Sequence, residues 1–315
     1  MAWLNHGAAN FELFTLDERS EELTSVDFRD TGNLDSWLMH SFSPEAAIER
    51  FRADLDRLLA LVPQSPRDQV EICPRSASEV GLALHGLEFA RVRHGLAAHS
   101  FNRENAVTFG AGANETPLGE ETEELCRSLF VRLFQSRYAG GSHTDALFRL
   151  QPERWLESRL RKCIEKVLPG LRGGVIYSQV PALSSGDRGM LDLLTLDRNG
   201  RLVILELKAD EDLHLPVQAL DYWIRVRVLN DDRKASGTSV PRSAFEREGY
   251  FTGKEISPLS PRLLLAAPAL RIHPANETVL RYLSSQVDWE LIALSEHWRK
   301  ELNVVFRQRS AATTA

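Results

Sequence analysis

Cysteine is scarce in this sequence, whose 315 residues include only Cys73, Cys126 and Cys163. An odd number of widely spaced cysteines argues against a disulfide framework and against a cysteine-based zinc site, so we interpret all three as buried apolar residues. Long apolar runs are absent too, and the N-terminus lacks a basic segment followed by an apolar one. These absences argue against a membrane span and a secretory signal, and favour a cytoplasmic protein with no membrane partner.

A surplus of positive charge is also missing, since 44 Asp and Glu residues outnumber 38 Lys and Arg and give a formal net charge of -6. Nucleic-acid-binding proteins typically carry a basic surplus, so the charge counts against a nucleic-acid partner. The net charge does not exclude such a partner, because binding depends on where charges lie and a carboxylate metal site makes its own domain more acidic. The hydrophobic fraction of 43% is ordinary for a soluble protein with a full core.

The N-terminal half combines helix and strand patterns. Ser43 precedes a predicted helix in which apolar residues recur at helical spacing. Strand-like runs follow, separated by polar or glycine-containing breaks. These runs are residues 70–73, 80–92 and 106–110. A second helix ends at Gly140 and Gly141, where we place a domain boundary. The sequence therefore predicts an N-terminal α+β domain of unknown fold in residues 1–145.

Residues 146–315 show a clearer order of elements. Pro152 begins a predicted helix, and three strand-like segments follow within residues 174–209. Next come a helix over residues 215–229, an apolar strand, a further helix and a final pair of strands. A helix, an antiparallel meander, a crossover helix and another strand predict a mixed sheet flanked by helices, in a protein of the α/β (α+β) class.

Two charged residues, Glu206 and Lys208, stand near the end of the third strand-like segment. Alternate residues of a strand face the same side, so both side chains point together. The preceding segment carries one acidic residue, Asp192. If a three-residue loop closed by a left-handed Gly200 joins the strands, Asp192 lies directly opposite Glu206, about 5 Å away. With a two-residue loop, Asp192 would face away and could share no metal with Glu206.

Neighbouring carboxylates repel each other, and a divalent cation between them removes that conflict. Because the donors are oxygens and no His or Cys is in position to join them, the predicted cofactor is Mg²⁺ or Mn²⁺. The ammonium of Lys208 can lie near the attacking water or the phosphate and offset developing negative charge. This combination of residues predicts phosphodiester hydrolysis.

The pattern of Asp192 on one strand, with Glu206 and Lys208 at the end of the next, resembles the PD-(D/E)xK nuclease superfamily. This superfamily includes restriction-endonuclease-like and RecB-like nucleases. The resemblance covers residues 151–308, about half of the chain, and the order of elements fits throughout. One departure is Leu191, which stands before Asp192 in place of the proline that names the motif.

The resemblance implies further site residues. Gln218 and Tyr222 lie one helical turn apart, as in the Gln-x-x-x-Tyr element of RecB-like members, where the glutamine supports the ligands or orients the substrate. The superfamily also takes a glutamate from the helix before the sheet, for which Glu157 is the best candidate and Glu153 the alternative. The implied catalytic residues are Asp192, Glu206, Lys208, Gln218 and Glu157, and the implied metal ligands are Asp192, Glu206 and Glu157.

The resemblance implies a Mg²⁺-dependent deoxyribonuclease with a restriction-endonuclease-like fold in residues 146–315. The negative charge and the lack of a basic arm favour single-stranded, branched or end-containing DNA as the partner. The alternative is a catalytically silent nuclease-fold module that binds nucleic acid or acts in assembly. A metal hydrolase acting on other substrates is disfavoured by the lack of a His ligand. The N-terminal domain would guide substrate, regulate activity or form a homodimer, and the sequence does not choose among these.

Each site residue also has a purely structural interpretation. The two strand carboxylates could be capped by Arg188 or Arg201. The glutamine and tyrosine of the following helix could be ordinary residues of a helix surface. Glu157 could be a solvated helix residue that pairs with Arg161 four positions on.

Overall fold

In a computed structural model the chain divides into two compact units, which are Phe42–Lys162 (the first unit) and Met1–Ser41 with Cys163–Ala315 (the second unit). The structure describes residues 12, 14–25, 38, 40–64, 67–96, 103–112, 115–171, 174–184, 187–235 and 241–310, without the side chains of residues 166 and 181–189. The division falls at residue 162, and not after residue 145. The predicted domain boundary stays a prediction, because compactness does not measure independent folding.

The described residues form a mixed α/β structure with three sheets and eight α-helices. The strands are β1 (Phe14–Asp17), β2 (Glu22–Ser25), β3 (Val70–Ser76), β4 (Glu79–Leu84), β5 (Leu87–Leu96), β6 (Arg103–Phe109), β7 (Thr116–Pro117), β8 (Tyr177–Ser184), β9 (Asp187–Leu196), β10 (Leu202–Leu207), β11 (Arg262–Pro268), β12 (Asp288–Leu294) and β13 (Val304–Arg309). The helices are α1 (Pro44–Arg50), α2 (Arg52–Leu61), α3 (Glu123–Ser136), α4 (Ala146–Arg149), α5 (Pro152–Val167), α6 (Leu215–Asp231), α7 (Ala244–Arg247) and α8 (Pro274–Arg281).

The first unit contains a five-stranded antiparallel sheet of order β3-β4-β5-β6-β7. Its α1 begins as predicted, because the Ser43 hydroxyl caps the helix by accepting a hydrogen bond from the Ala46 amide at 3.1 Å. The apolar run of residues 80–92 is two strands and not one. His85 and Gly86 separate them in a tight turn with φ of 47° and 74°, the left-handed conformation that short hairpin loops require.

One arginine is buried at the centre of the first unit. Arg137 follows α3, and only 1% of it is exposed. Its guanidinium carbon lies 4.6 Å from the ring centroid of Trp155 in α5. The guanidinium donates hydrogen bonds to the carbonyl oxygens of Leu84, His85, Leu147, Leu150 and Gln151. A single cation therefore joins the β4–β5 turn, α4 and the start of α5.

The composition predicts that the chain has no membrane span and that its three cysteines are buried. In the described part of the chain, no helix has the length and apolar character of a membrane span. Cys126 is buried, whereas Cys73 and Cys163 are only half-buried. The interpretation of the cysteines as buried apolar residues is therefore confirmed for Cys126 and wrong for the other two.

The second unit contains a six-stranded mixed sheet of order β13-β12-β11-β10-β9-β8, together with the separate β1–β2 hairpin. β8, β9 and β10 form an antiparallel meander, β10, β11 and β12 are parallel, and β13 is antiparallel to β12. The parallel pairing of β10 with β11 needs a crossover connection, and α6 lies within it. The predicted order of helix, antiparallel meander, crossover helix and further strand in a mixed sheet is confirmed.

Helix α6 covers one face of this mixed sheet. Its Ala219 and Trp223 are fully buried, and they belong to one apolar cluster with Leu194 of β9, Ile204 of β10 and Leu265 of β11. Because side chains alternate along a strand, the residue two positions after Ile204 faces the same helix. That residue is Glu206.

A three-residue loop of Arg198, Asn199 and Gly200 joins β9 to β10. The Asp197 amide donates to the Arg201 carbonyl at 2.9 Å, and the Gly200 amide donates to the Asp197 carbonyl at 3.1 Å. Gly200 has a φ of 78°, in the left-handed region. The predicted loop length and the predicted conformation of its glycine are both confirmed.

We expect Gly200→Ala to lower the free energy of unfolding by about 2–4 kcal/mol, since it combines a left-handed alanine with a clash. A Cβ at this position would lie 2.6 Å from the carbonyl oxygen of Glu255. Gly253→Ala is the matched control, because its φ is 74° but its Cβ would meet nothing within 4 Å. Urea denaturation measures both variants, and equal losses would show that the clash contributes nothing.

Candidate active site

The β9–β10 register brings the two predicted carboxylates face to face. Leu193 pairs with Leu205, so the next residues along each strand, Asp192 and Glu206, continue the same register. Directly opposed side chains in an antiparallel pair have Cβ atoms about 5 Å apart. Glu206 is 1% exposed and Asp192 is half-buried. The register that places both carboxylates on the α6 side of the sheet is therefore confirmed, and the two-residue loop is excluded.

The carboxylate of Asp192 accepts hydrogen bonds from two directions. Its Oδ2 accepts from the backbone amide of Leu207 at 2.9 Å, where β10 ends. Its Oδ1 accepts from Nε2 of Gln179 on β8 at 3.1 Å. The two contacts tie Asp192 to the strands on either side of β9.

Lys208 lies one residue beyond β10, and its amide donates to the Ala266 carbonyl of β11 at 3.1 Å. Its backbone therefore continues the sheet, which keeps its side chain on the same face as Glu206 by alternation. The Lys208 side chain is 13% exposed, and its Nζ lies 3.5 Å from Oδ2 of Asp212. Lys208 thus lies at the end of β10, the strand that carries the buried Glu206.

Gln218 and Tyr222 lie one turn apart on α6, and Nε2 of Gln218 donates to Oη of Tyr222 at 3.2 Å. Burial raises the pKa of Tyr222, and the negative charges of Glu206 and Asp192 act in the same direction. The hydrogen bond from Gln218 opposes this rise in pKa. The phenol therefore stays protonated at neutral pH. The charges of both carboxylates thus act on the α6 residue that Gln218 contacts.

Two purely structural interpretations of the site residues, capping by an arginine and solvation of Glu157, can be compared with the contacts in the structure. Arg201 donates to Oδ2 of Asp288 at 2.6 Å and to carbonyl oxygens, so it does not cap the site carboxylates. The Arg188 side chain lies outside the described residues. Glu157 is 5% exposed, so its interpretation as a solvated residue is wrong, and it pairs with Arg154 at 3.1 Å.

The three predicted metal ligands are divided between the two units. Glu157 and its alternative Glu153 lie in the first unit, whereas Asp192 and Glu206 lie in the second. Within the described residues, no group of three or more His, Cys, Asp and Glu side chains could hold a metal ion. Of the three predicted ligands, the second unit contains Asp192 and Glu206.

Two opposed carboxylates fit the coordination habits of Mg²⁺. This ion keeps several waters and is typically bound by one or two carboxylates together with phosphate oxygens of the substrate. The donor set of Asp192 and Glu206 is all oxygen, which suits Mg²⁺ or Mn²⁺ and does not suit zinc. The chemistry of the donors is thus compatible with the predicted cofactor.

Comparison with protein-family models, with curated proteins and with solved structures finds no match to this chain.

Gln179 contacts Asp192 through a side chain that the sequence did not predict to be part of the site. Its φ is 55°, so a left-handed residue stands inside β8. The segment 174–183 has the apolar and β-branched pattern of a strand, and no local signal in it marks a left-handed glutamine. The only available signal was the register itself, because a residue opposite Asp192 on the next strand is expected to contact it.

Proposed function

We propose that the second unit is a Mg²⁺-dependent nuclease that hydrolyses phosphodiester bonds of DNA. The observation that carries the proposal is the β9–β10 register, which opposes Asp192 and Glu206 on the face where Lys208 follows. The chain order of α5, the β8–β9–β10 meander, α6 and β11 supports a restriction-endonuclease-like fold. The superfamily resemblance described above supports the same assignment.

Each residue then has a role that its position allows. Asp192 and Glu206 would hold the cation, and the chemistry it supplies when bound is a more acidic coordinated water and neutralised phosphate charge. The Lys208 ammonium would stabilise negative charge that develops on the phosphate. Gln218 holds the Tyr222 hydroxyl beside the two carboxylates, where both groups would orient the substrate.

Single-stranded, branched or end-containing DNA is the proposed substrate class. The net charge of -6 provides little of the non-specific phosphate attraction on which tight duplex binding depends. Unpaired and frayed strands reach a buried carboxylate site more easily than the backbone of an intact duplex does. The preferred structure of the DNA substrate is therefore tested in the same experiment as the nuclease activity.

A second candidate function is a silent nuclease-fold module that binds nucleic acid without cleaving it. The observation that favours it is the lack, among the described residues, of a group of three or more possible metal ligands. An all-oxygen pair on a buried face favours the active enzyme instead, because a module that only binds has no need for two opposed carboxylates.

The test is incubation of the purified full chain with end-labelled single-stranded, duplex and forked DNA. We expect cleavage with Mg²⁺ or Mn²⁺, none with EDTA, and the highest rate on forked or single-stranded DNA. Gel-shift titrations of the same DNAs run in parallel. Binding without any metal-dependent cleavage would support the silent module and contradict the nuclease assignment.

A further inference from the structure

The strand position opposite Asp192 on β8 is occupied by a residue in an unusual conformation. The β8–β9 register pairs Ser178 with Leu193 and Val180 with Leu191, so Gln179 stands at the position facing Asp192. Its φ of 55° is left-handed, although its neighbours on both sides belong to the same strand. The irregularity is confined to the one residue that faces a predicted metal ligand.

A glutamine with a left-handed backbone is conformationally unfavourable, and a regular β-strand does not require a residue in that conformation. Glycine adopts positive φ freely, and asparagine and aspartate do so more often than other residues, but glutamine has no such preference. Strained residues of this kind persist where the surrounding structure holds them, and they cluster at functional sites. The contact that accompanies the strain here is the hydrogen bond from Gln179 Nε2 to Oδ1 of Asp192.

The side-chain amide of Gln179 and the backbone amide of Leu207 donate to different oxygens of the same Asp192 carboxylate. Because Oδ2 accepts from the Leu207 amide and Oδ1 accepts from Gln179, donors on two different strands fix the plane of the carboxylate. Groups that orient a ligand in this way typically change metal affinity 10- to 100-fold when they are removed. An aspartate held from one side only would rotate about its side-chain bonds.

We propose that Gln179 is a positioning residue, whose strained backbone serves to aim its amide at Asp192 and to hold that carboxylate in the orientation that binds the divalent cation. This inference rests on the proposed function. It adds a residue that lies outside the Asp192, Glu206 and Lys208 pattern.

The experiment compares Mn²⁺ binding with thermal stability in the full chain. Gln179→Gly removes the amide and relieves the left-handed strain, and Gln179→Asn tolerates the same backbone with an amide one methylene too short. We expect both variants to raise the dissociation constant for Mn²⁺ about 10-fold, measured by electron paramagnetic resonance of free Mn²⁺, while the melting temperature stays unchanged or rises.

Thr195→Val is the matched control. It removes the hydrogen bond from Thr195 Oγ1 to the Val175 carbonyl on the opposite face of β9. We expect it to lower the melting temperature while leaving Mn²⁺ affinity at the wild-type value. Losses of affinity that follow melting temperature across all three variants would overturn the positioning role.

Two further results separate the inference from the proposed function. If wild type binds Mn²⁺ and Gln179→Gly binds it equally well, Gln179 has no positioning role and the nuclease proposal stands. If wild type itself binds no Mn²⁺ at millimolar concentration, the metal-dependent function is overturned together with the inference.

Discussion

Replacement of Asp192 by asparagine is expected to reduce Mg²⁺-dependent DNA cleavage at least about 100-fold, because it removes one of two charged ligands from the proposed cation site. The substitution is expected to change the fold little. An asparagine oxygen can still accept the hydrogen bond that the Leu207 amide donates to Asp192 Oδ2, so the end of β10 keeps its contact. The measurement is the single-turnover rate on forked DNA over a range of Mg²⁺ concentrations, with the melting temperature as the check on folding.

The matched control for this variant is Asp197→Asn on the same hairpin. The Asp197 side chain accepts from the amides of Asn199 and Arg201 in the loop, which an asparagine can also do. We expect its cleavage rate to stay near that of wild type.

Lys208→Met separates charge stabilisation from metal binding. Because an ammonium cannot coordinate a cation, loss of the Lys208 ammonium should slow cleavage without weakening Mn²⁺ binding. Wild-type rates in both Asp192→Asn and Lys208→Met would rule out this site as the catalytic centre.

Replacement of Arg137 by methionine is expected to destabilise the first unit by about 3–5 kcal/mol. Methionine fills much of the same space but donates no hydrogen bond. Five carbonyl oxygens that now accept from one buried guanidinium would lose that donor, although the Gln151 oxygen keeps the Trp155 amide as a second donor. Each buried carbonyl left without a partner costs about 1 kcal/mol or more. Arg137→Lys should recover only part of the loss, since an ammonium lacks the planar fork of donors.

Hydrogen exchange measured by mass spectrometry localises this effect to one unit. We expect amides of β4 and β5 to lose protection in Arg137→Met, while amides of β10 and β11 keep theirs. The control is Arg127→Met on α3, the helix that Arg137 follows, where an exposed i,i+4 pair with Glu123 is worth only about 0.5 kcal/mol. Equal exchange of β4 and β5 in the two variants would mean that the buried cation contributes little.

The order of elements in residues 151–308 could be predicted because their sequence periodicities are strong. Pro152 marks the start of α5, the apolar run at the core of β10 can only be a buried strand, and α6 carries apolar residues around most of its surface. The short helix α7 was not predicted, because a single turn such as Ala244–Arg247 has too few residues to show a period. Similarly, the turn at His85 and Gly86 interrupts an apolar run whose composition resembles one strand.

The site could be predicted as far as local geometry determines it. The Asn199-Gly200 sequence marks the β9–β10 turn but left two-residue and three-residue loops open, and strand alternation places Asp192 and Glu206 on one face only with the three-residue loop. The pairing of Glu157 with Arg154 could not be chosen in this way, since Arg154 and Arg161, three positions before and four after Glu157, are both within reach on a helix. Gln179 was missed because neither its left-handed backbone nor its contact with Asp192 on another strand leaves a local sequence pattern.

The short β9–β10 loop has a consequence for the folding order of the sheet. Asp192 and Glu206 are 14 positions apart along the chain, whereas the parallel partners Val203 and Arg262 are 59 apart. Each doubling of loop length adds about 0.6 kcal/mol to the entropic cost of closure, so the hairpin should form well before β11 docks. The two acidic side chains would then meet while still surrounded by water, and their mutual repulsion would become costly only later, as the α6 crossover closes over them and excludes solvent.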